Sequence, residues 1–527
     1  MRNGLSKSLI ARVLGAAPKW TIGQLERNFP PRRLPDGAMV TRVAPSPTGF
    51  MHLGTIYQAV IDKKLAGQSK GVFMLRVEDT DTKREADGAL DIILKCMQKF
   101  GLDPDEGPEQ GGSYGPYFQS ERKDIYHSVV AELLEQGMAY PCFLSPDEMD
   151  NVREKQKSAG FATGIYGEWA IWRDATEEEI DAKLNTGAVP SIRLYSVWSK
   201  ERKIFCKDAV RGSIAFPEYD EDIVLIKSND GLPTYHFAHL VDDHFMRTTH
   251  VVRDASWLPS FPLHIQMFNM LGWTSPAYIH TSTLDKLDDE TGGQRKLSKR
   301  KDPEASAGQF LEDGWPIESV LEYLFNILSS CYEENKAKGC VKNIWDAELK
   351  LKRIPTSGAL FDMKKLEWWA KEFIAVLPSA DLADRIIDWA NVYGDDFNKK
   401  QIADREYLRK ILAIERGARK DFITWRQTLA EIAFFYDDSW AHATSKQLNK
   451  DILRKFVQSF DSKDSKDLWW DKIVAIASEF GVKNGDVAMT LRVAVTGREN
   501  TPDLYSIMQV MGHKRTCSRI EKIIKEK

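Results

Sequence analysis

The segment Ala44-Pro-Ser-Pro-Thr-Gly-Phe-Met-His52-Leu-Gly54-Thr55 constrains this chain more than any other. Before it, Thr41-Arg42-Val43-Ala44 reads as the end of a buried strand. Within it, Pro45, Pro47 and Gly49 stop a helix or strand from running through. Beyond Gly54 the pattern turns helical, with Ile56, Val60, Ile61, Lys64 and Leu65 three to five apart. The order is strand, tight connection, helix, with His52 and Gly54 at the helix N-terminus. Unpaired backbone N–H groups and the helix dipole attract anions there. Gly54 lets the backbone approach a phosphate, and His52 offers a donor to its oxygens. Taken alone, His-x-Gly also fits an ordinary strand–helix turn with a surface histidine.

A second segment narrows the choice. Lys286-Leu-Asp-Asp-Glu-Thr-Gly-Gly-Gln-Arg-Lys-Leu-Ser-Lys-Arg-Lys-Asp is polar, has paired glycines, and ends in concentrated positive charge. Such a loop suits closure over a triphosphate, with lysines meeting charge that shifts in the transition state. By itself it fits equally a solvated basic loop or a nucleic-acid patch.

Together the two segments resemble the paired signatures of class I aminoacyl-tRNA synthetases, and the details resemble the glutamyl branch of bacterial and organellar type. The resemblance continues through Arg76-Val-Glu78-Asp-Thr-Asp81 and Gly115-Pro-Tyr-Phe-Gln-Ser-Glu121-Arg122. It includes Gly231-Leu-Pro-Thr-Tyr235-His-Phe-Ala-His239-Leu-Val-Asp242-Asp243-His244 and Val252-Arg253-Asp-Ala-Ser256-Trp257. It ends with Val487-Ala-Met-Thr-Leu-Arg492-Val-Ala-Val-Thr-Gly497 and Met511-Gly512-His-Lys, so it runs from about residue 39 to the C-terminus.

The resemblance implies a glutamate site lined by Arg42, Ala44, Ser46, Glu78, Tyr235, His239 and Arg253. It implies an ATP site at His52, Gly54, Thr55, Ser256, Trp257, Lys296, Leu297, Ser298, Lys299 and Arg300, with His52, Lys296 and Lys299 catalytic. Residue chemistry agrees: two carboxylates and an ammonium need at least two cations and an anion, which Arg42, Arg253 and Glu78 supply. The implied reaction is in-line attack of the glutamate α-carboxylate on the α-phosphorus of ATP, releasing pyrophosphate. The acyl group then passes to the terminal adenosine of tRNA(Glu), with Mg²⁺ bridging phosphate oxygens. Whether tRNA(Gln) is also charged stays open, since it rests on a few anticodon contacts, near Glu415-Arg416-Gly-Ala-Arg419-Lys420 by this reading. A non-translational glutamyl transferase acting on tRNA is the alternative activity, and a noncatalytic RNA-binding paralogue a further one. Three departures from the family pattern stand out. Thr55 and Leu297 replace a histidine and a methionine of the general motifs, and Ser256 stands where relatives often carry glutamate.

Composition bounds the remainder. The chain has 527 residues, 28% of them charged, which indicates several globular domains and no apolar run long enough for a bilayer. Its six cysteines are scattered, as expected in a reducing compartment. Cys142-Phe-Leu144 lacks the second thiol of the Cys-x-Cys with which some relatives bind zinc, so no zinc and no resident metal are expected. A monomer is expected. Formal charge is −4 overall, but +6 over the first 33 residues. Leu5, Leu9, Val13, Ala16 and Trp20 recur there at helical spacing. A basic amphipathic helix poor in acids fits a mitochondrial presequence over 1–36, hence the matrix; a disordered tail and a cytoplasmic protein are the alternative.

The expected architecture is multidomain: an α/β Rossmann-like class I core (37–122 and 225–272) holding an α+β insertion (123–224) that grips the acceptor end. A stem-contact region (273–375) carries the Lys296–Arg300 loop. An all-α anticodon-binding region (376–527) follows, its apolar stripes at Tyr407–Ile414, Leu429–Tyr436 and Leu468–Ala477 forming core.

Overall fold

The computed structural model describes residues 3–47, 49, 51–81, 88–288, 292–298, 301–302, 305–415, 420–440 and 448–525. It divides into two compact units: residues 1–308 with 324–361, and residues 309–323 with 362–527.

The first unit opens with helices α1 (Lys7–Val13) and α2 (Ile22–Asn28). Strand β1 (Val40–Val43) follows, then α3 (Leu53–Ser69), β2 (Val72–Leu75) and α4 (Ala89–Lys99). The expected strand–turn–helix is therefore present. β1 and β2 pair in parallel, Arg42 opposite Met74, and all four β1 residues are buried. Pro45 and Pro47 end the ladder because a proline cannot donate to it.

Next come α5 (Lys123–Glu135), β3 (Ala139–Cys142), α6 (Pro146–Ser158), α7 (Glu177–Asn185), β4 (Ser191–Leu194), β5 (Lys203–Asp208), β6 (Gly212–Pro217) and β7 (Val224–Ile226). Strands β3, β4 and β7 form an antiparallel sheet of that order, the body of the expected insertion, and α5 is its predicted opening helix. The hairpin β5–β6 does not belong to it. After α8 (Tyr235–Phe245), strand β8 (His250–Asp254) and α9 (Phe261–Met270) lead to β9 (Ala277–Thr281), and the sheet order is β6-β5-β9-β8. Residues 203–217 thus extend the core sheet, not the insertion. Asp208 fixes this placement: its carboxylate accepts the His280 backbone N–H at 3.0 Å and sits 2.8 Å from His280 Nδ1. The two core sheets meet where the Thr249 N–H donates to the Val40 carbonyl at 3.0 Å.

Three short strands complete this unit. β10 (Leu284–Leu287) pairs antiparallel with β11 (Gln294–Lys296) and parallel with β12 (Ala359–Leu360). Farther along, the Trp345 carbonyl accepts from Lys64 Nζ at 2.6 Å, which holds the 340s against α3.

The helix expected near the N-terminus is present, and it packs as part of the first unit. Leu5, Leu9, Ile10, Val13 and Leu25 are buried in one cluster with Val129 and Leu133 of α5 and Phe237 of α8. The excess positive charge is matched by other elements: Arg12 pairs with Asp181, Lys19 with Asp124 and Lys7 with Glu135. Arg32 makes a two-pronged ion pair with Glu106 (2.7 and 2.8 Å) beneath the Tyr114 ring. Glu26 in turn receives Arg247 and His244 of the core.

The second unit is helical, as expected for 376–527, but it starts earlier and reaches back to 309–323. Its helices include Met363–Val376, Ser379–Tyr393, Arg405–Ala413, Lys450–Ser459, Lys466–Phe480 and Asn484–Thr496. The reach-back has local causes. Trp389 Nε1 donates to the Leu311 carbonyl (3.0 Å), the Trp425 N–H donates to Gly314 (2.8 Å), and Arg385 pairs with Glu318 (2.7 Å). Gly314, at φ +75°, lies where a Cβ would come within 2.9 Å of the Trp389 indole. The predicted core stripes are core: Leu408, Ile411, Leu429, Phe435, Trp469 and Ile473 are all buried in one cluster. Among the described residues no helix is long and apolar enough to cross a membrane.

Candidate active site

A cavity of about 640 Å³ opens at the carboxyl ends of β1, β2 and β8. Arg42 enters it from β1, Glu78 from just beyond β2, Tyr235 from the start of α8, and Arg253 from β8. Ala44, Ser46, Thr55 and Trp257 line it as well. Eight of the predicted residues are therefore brought together from four separate stretches of chain.

Positive charge in the cavity is held by buried carboxylates. Asp243 accepts from Arg42 Nε (3.2 Å) and from Arg76 Nη1 (2.6 Å), and all three side chains are almost wholly buried. Burial alone would raise the Asp243 pKa, but the two guanidiniums hold it well below the usual carboxylate range. Asp242 accepts from Arg122 Nε (2.6 Å), Gln119 Nε2 (2.8 Å) and the Tyr126 hydroxyl. Asp242-Asp243 thus sets the orientation of arginines on three other elements.

Glu78 lies 3.3 Å from Arg76 Nη2, and burial raises its pKa against the pull of Arg76, Arg42 and Arg253. Such a carboxylate is stabilised by an incoming ammonium. Arg253 is 4% exposed, and its Nη2 has no hydrogen-bond partner among the described residues. Its Nη1 lies 3.4 Å from His264 Nδ1, and its guanidinium lies over the Trp257 ring at 5.0 Å. Because arginine can only donate, His264 Nδ1 accepts, which leaves the His264 proton on Nε2, facing His236 Nδ1 at 3.0 Å. Burial lowers the pKa of both histidines, to about 4 for His236, so this chain of rings is neutral at pH 7.

Some predicted residues sit elsewhere. His239 is fully buried one layer behind the cavity, its Nδ1 2.7 Å from Asp243 and its Nε2 2.8 Å from the Tyr278 hydroxyl. Its ring stacks parallel to Tyr235, so it supports that wall without forming it. His52 is the N-cap of α3, and its Nδ1 accepts the Gly54 N–H at 3.1 Å, which places the ring proton on Nε2. The chain just beyond the second segment reaches the first: His52 forms a β-bridge with Ser306, and the Ala307 N–H donates to Met51. Lys296, at the end of β11, pairs with Asp254 at 2.6 Å. Leu297 is buried and donates its N–H to Leu284, while the Ser298 N–H donates to Asp302. Asp302 also takes both Arg295 prongs (2.6 and 2.7 Å), which pull its pKa to about 2 and shape the loop. Lys299 and Arg300 lie outside the described residues, as do Arg416 and Arg419.

The sequence reading missed His236, Gln119 and Asp62, all of which line the cavity. Asp62 carried a readable signal: a carboxylate in α3 three residues from both Ala59 and Leu65, hence flanked by apolar neighbours on its own face. It is 1% exposed, and burial raises its pKa well above the usual value in spite of Arg42.

A parallel sheet with a strand–turn–helix start, an arginine-flanked cavity at its carboxyl ends and a basic loop tied to the strand that carries Arg253 is the arrangement of a class I synthetase core. Family comparison agrees: residues 38–368 match "tRNA synthetases class I (E and Q), catalytic domain", and 381–524 match "Anticodon binding domain". The glutamate–tRNA ligase of Acetivibrio thermocellus is 40% identical, the match covering 94% of this chain and 95% of that one. That of Clostridium beijerinckii is 38% identical across 99% of this chain and 100% of its own, so the match takes in the N-terminal helices. The crystal structure of a glutamate tRNA ligase from Elizabethkingia meningosepticum in complex with its amino acid superposes with TM-score 0.75 at 28% identity, over 92% of this chain and 99% of that one. The chain belongs to the glutamate–tRNA ligase family of class I synthetases.

Proposed function

We propose that this chain activates L-glutamate with ATP to glutamyl-adenylate and transfers the acyl group to the 3′ end of tRNA(Glu). The observation that carries the substrate is the pair Arg42 and Arg253 facing one cavity with Glu78 between them electrostatically. Arg253 lines the cavity with a buried Nη2 that has no hydrogen-bond partner among the described residues, which suits a carboxylate taken up by charge-assisted hydrogen bonds. Glu78, destabilised by burial, is relieved by the glutamate ammonium.

In this reading no protein nucleophile is needed. The cavity aligns the α-carboxylate with the α-phosphorus, and His52 Nε2 and the Lys296–Arg300 loop neutralise charge developing on the phosphates. Magnesium arrives on the phosphates of ATP and neutralises charge there. The acceptor end would meet the β3–β4–β7 insertion, and the second unit would meet the anticodon.

Glutamate-dependent pyrophosphate exchange, run with and without tRNA, tests the reading; no exchange in either condition overturns it. Charging of purified tRNA(Glu) and tRNA(Gln) decides whether both are acceptors. The mitochondrial setting expected from the basic N-terminus is tested by sequencing the mature protein. Because that segment is folded into the first unit, we expect the mature chain to retain residues 3–36.

A further inference from the structure

Ser256 carries no carboxylate, but Asp254, two residues earlier on the strand that brings Arg253 to the cavity, does. Asp254, the last residue of β8, sits immediately after Arg253. Its Oδ2 lies 2.6 Å from Lys296 Nζ, and Ser256 Oγ lies 3.1 Å from the same ammonium. The carboxylate is itself fixed. Oδ1 accepts the Ser256 N–H at 2.9 Å and also the Ser256 hydroxyl, so Asp254 caps the short 3₁₀ turn Ala255–Ser260. The Asp254 side chain is 14% exposed against 49% for Lys296. The aspartate is thus the rigid partner and the lysine the movable one.

We propose that Asp254 is the positioning residue for Lys296. It holds the ammonium at the ATP end of the cavity until a phosphate oxygen replaces the carboxylate, and it ties the ATP loop to the strand carrying the glutamate arginine. Two effects compete when the carboxylate is removed. Freeing Lys296 abolishes an ion pair that ATP must displace, which favours ATP. It also frees a long side chain of four rotatable bonds that must then be ordered in the transition state. A half-exposed pair contributes little net, whereas pre-ordering a reacting group contributes much. Positioning therefore wins, and loss of Asp254 slows the reaction. This inference rests on the proposed synthetase activity.

Asp254→Asn keeps the oxygen that caps Ser256 and removes only the charge, so the turn is preserved. In glutamate-dependent pyrophosphate exchange with tRNA present, we expect kcat/KM for ATP to fall about tenfold, with KM for glutamate within about twofold of the parent. Because Lys296 is held from both 254 and 256, the double variant Asp254→Asn/Ser256→Glu returns a carboxylate to the same ammonium and recovers most of the loss. Unchanged or raised kcat/KM for ATP in Asp254→Asn overturns the proposal. So does a loss that Ser256→Glu does not repair, which would show that the Asp254 charge does not act through Lys296. An inactive parent enzyme would instead overturn the synthetase reading.

Discussion

Arg32→Ala separates a structural N-terminus from a dispensable one. Arg32 is 7% exposed and Glu106 17%; two guanidinium N–H groups reach the carboxylate at 2.7 and 2.8 Å, and Nε donates to the Met246 carbonyl at 3.1 Å. The guanidinium also lies 3.8 Å from the Tyr114 ring centre. After truncation, Glu106 keeps the Tyr117 hydroxyl at 2.8 Å as its side-chain partner but loses its counter-charge in a largely desolvated site. Breaking a buried pair from one side costs about 3–5 kcal/mol. At roughly 2 °C per kcal/mol for a unit of this size, the calorimetric transition of the first unit should fall by about 6–10 °C. Arg33→Ala, at an exposed neighbour, should move it by less than about 1 °C. A shift below about 2 °C for Arg32→Ala would refute the claim that residues 3–36 are part of the folded unit.

Arg253→Lys keeps the charge but removes the planar fork, and should raise KM for glutamate by about one to two orders of magnitude with a smaller change for ATP. His264→Leu removes the acceptor that faces Arg253 Nη1 and should raise KM for glutamate by roughly tenfold. Since burial keeps His236, His239 and His264 neutral, KM for glutamate in the parent should be flat between about pH 6 and 8. Asp62 has a folded pKa raised above its unfolded value, so its ionised form opposes folding. That penalty is absent in acid, grows as pH rises through the unfolded pKa, and is complete above the folded one. Asp62→Asn should therefore stabilise the protein by about 1–3 kcal/mol at neutral pH in urea titrations, the gain vanishing near pH 4; a gain independent of pH would contradict this origin.

What the sequence made legible was local or chemically singular. Pro45, Pro47 and the 3.6 spacing after Gly54 specify strand, turn and helix within thirty residues, and the structure contains them. Arg42, Glu78 and Arg253 were found because a dianionic amino acid demands those charges. The anchoring of Arg42 and Arg76 by Asp243 was not legible, since it joins α8 to residues 201 and 167 positions earlier. Nor was the membership of residues 203–217 in the core sheet, because alternation shows that a strand forms but not which neighbour it takes. The packing of the N-terminal segment was not legible for a related reason. An excess of arginine and lysine looks the same in a leader as in a strap whose counter-charges, Asp124, Glu135 and Asp181, are supplied by other helices.

The placement of Arg42 on β1 and Arg253 on β8 has a consequence for biosynthesis. The two residues are 211 positions apart, and the helix whose Asp243 orients Arg42 is completed only at Phe245. Half the cavity must therefore wait, with one edge of β1 open and its arginine uncompensated, while the whole insertion is made. Contacts of such long sequence separation form late because loop closure is costly. A nascent chain released before residue 253 holds only one of the two guanidiniums that line the cavity. Retention on a glutamate-bearing resin thus serves as a timer for cotranslational folding, registering the moment at which β8 docks beside β1.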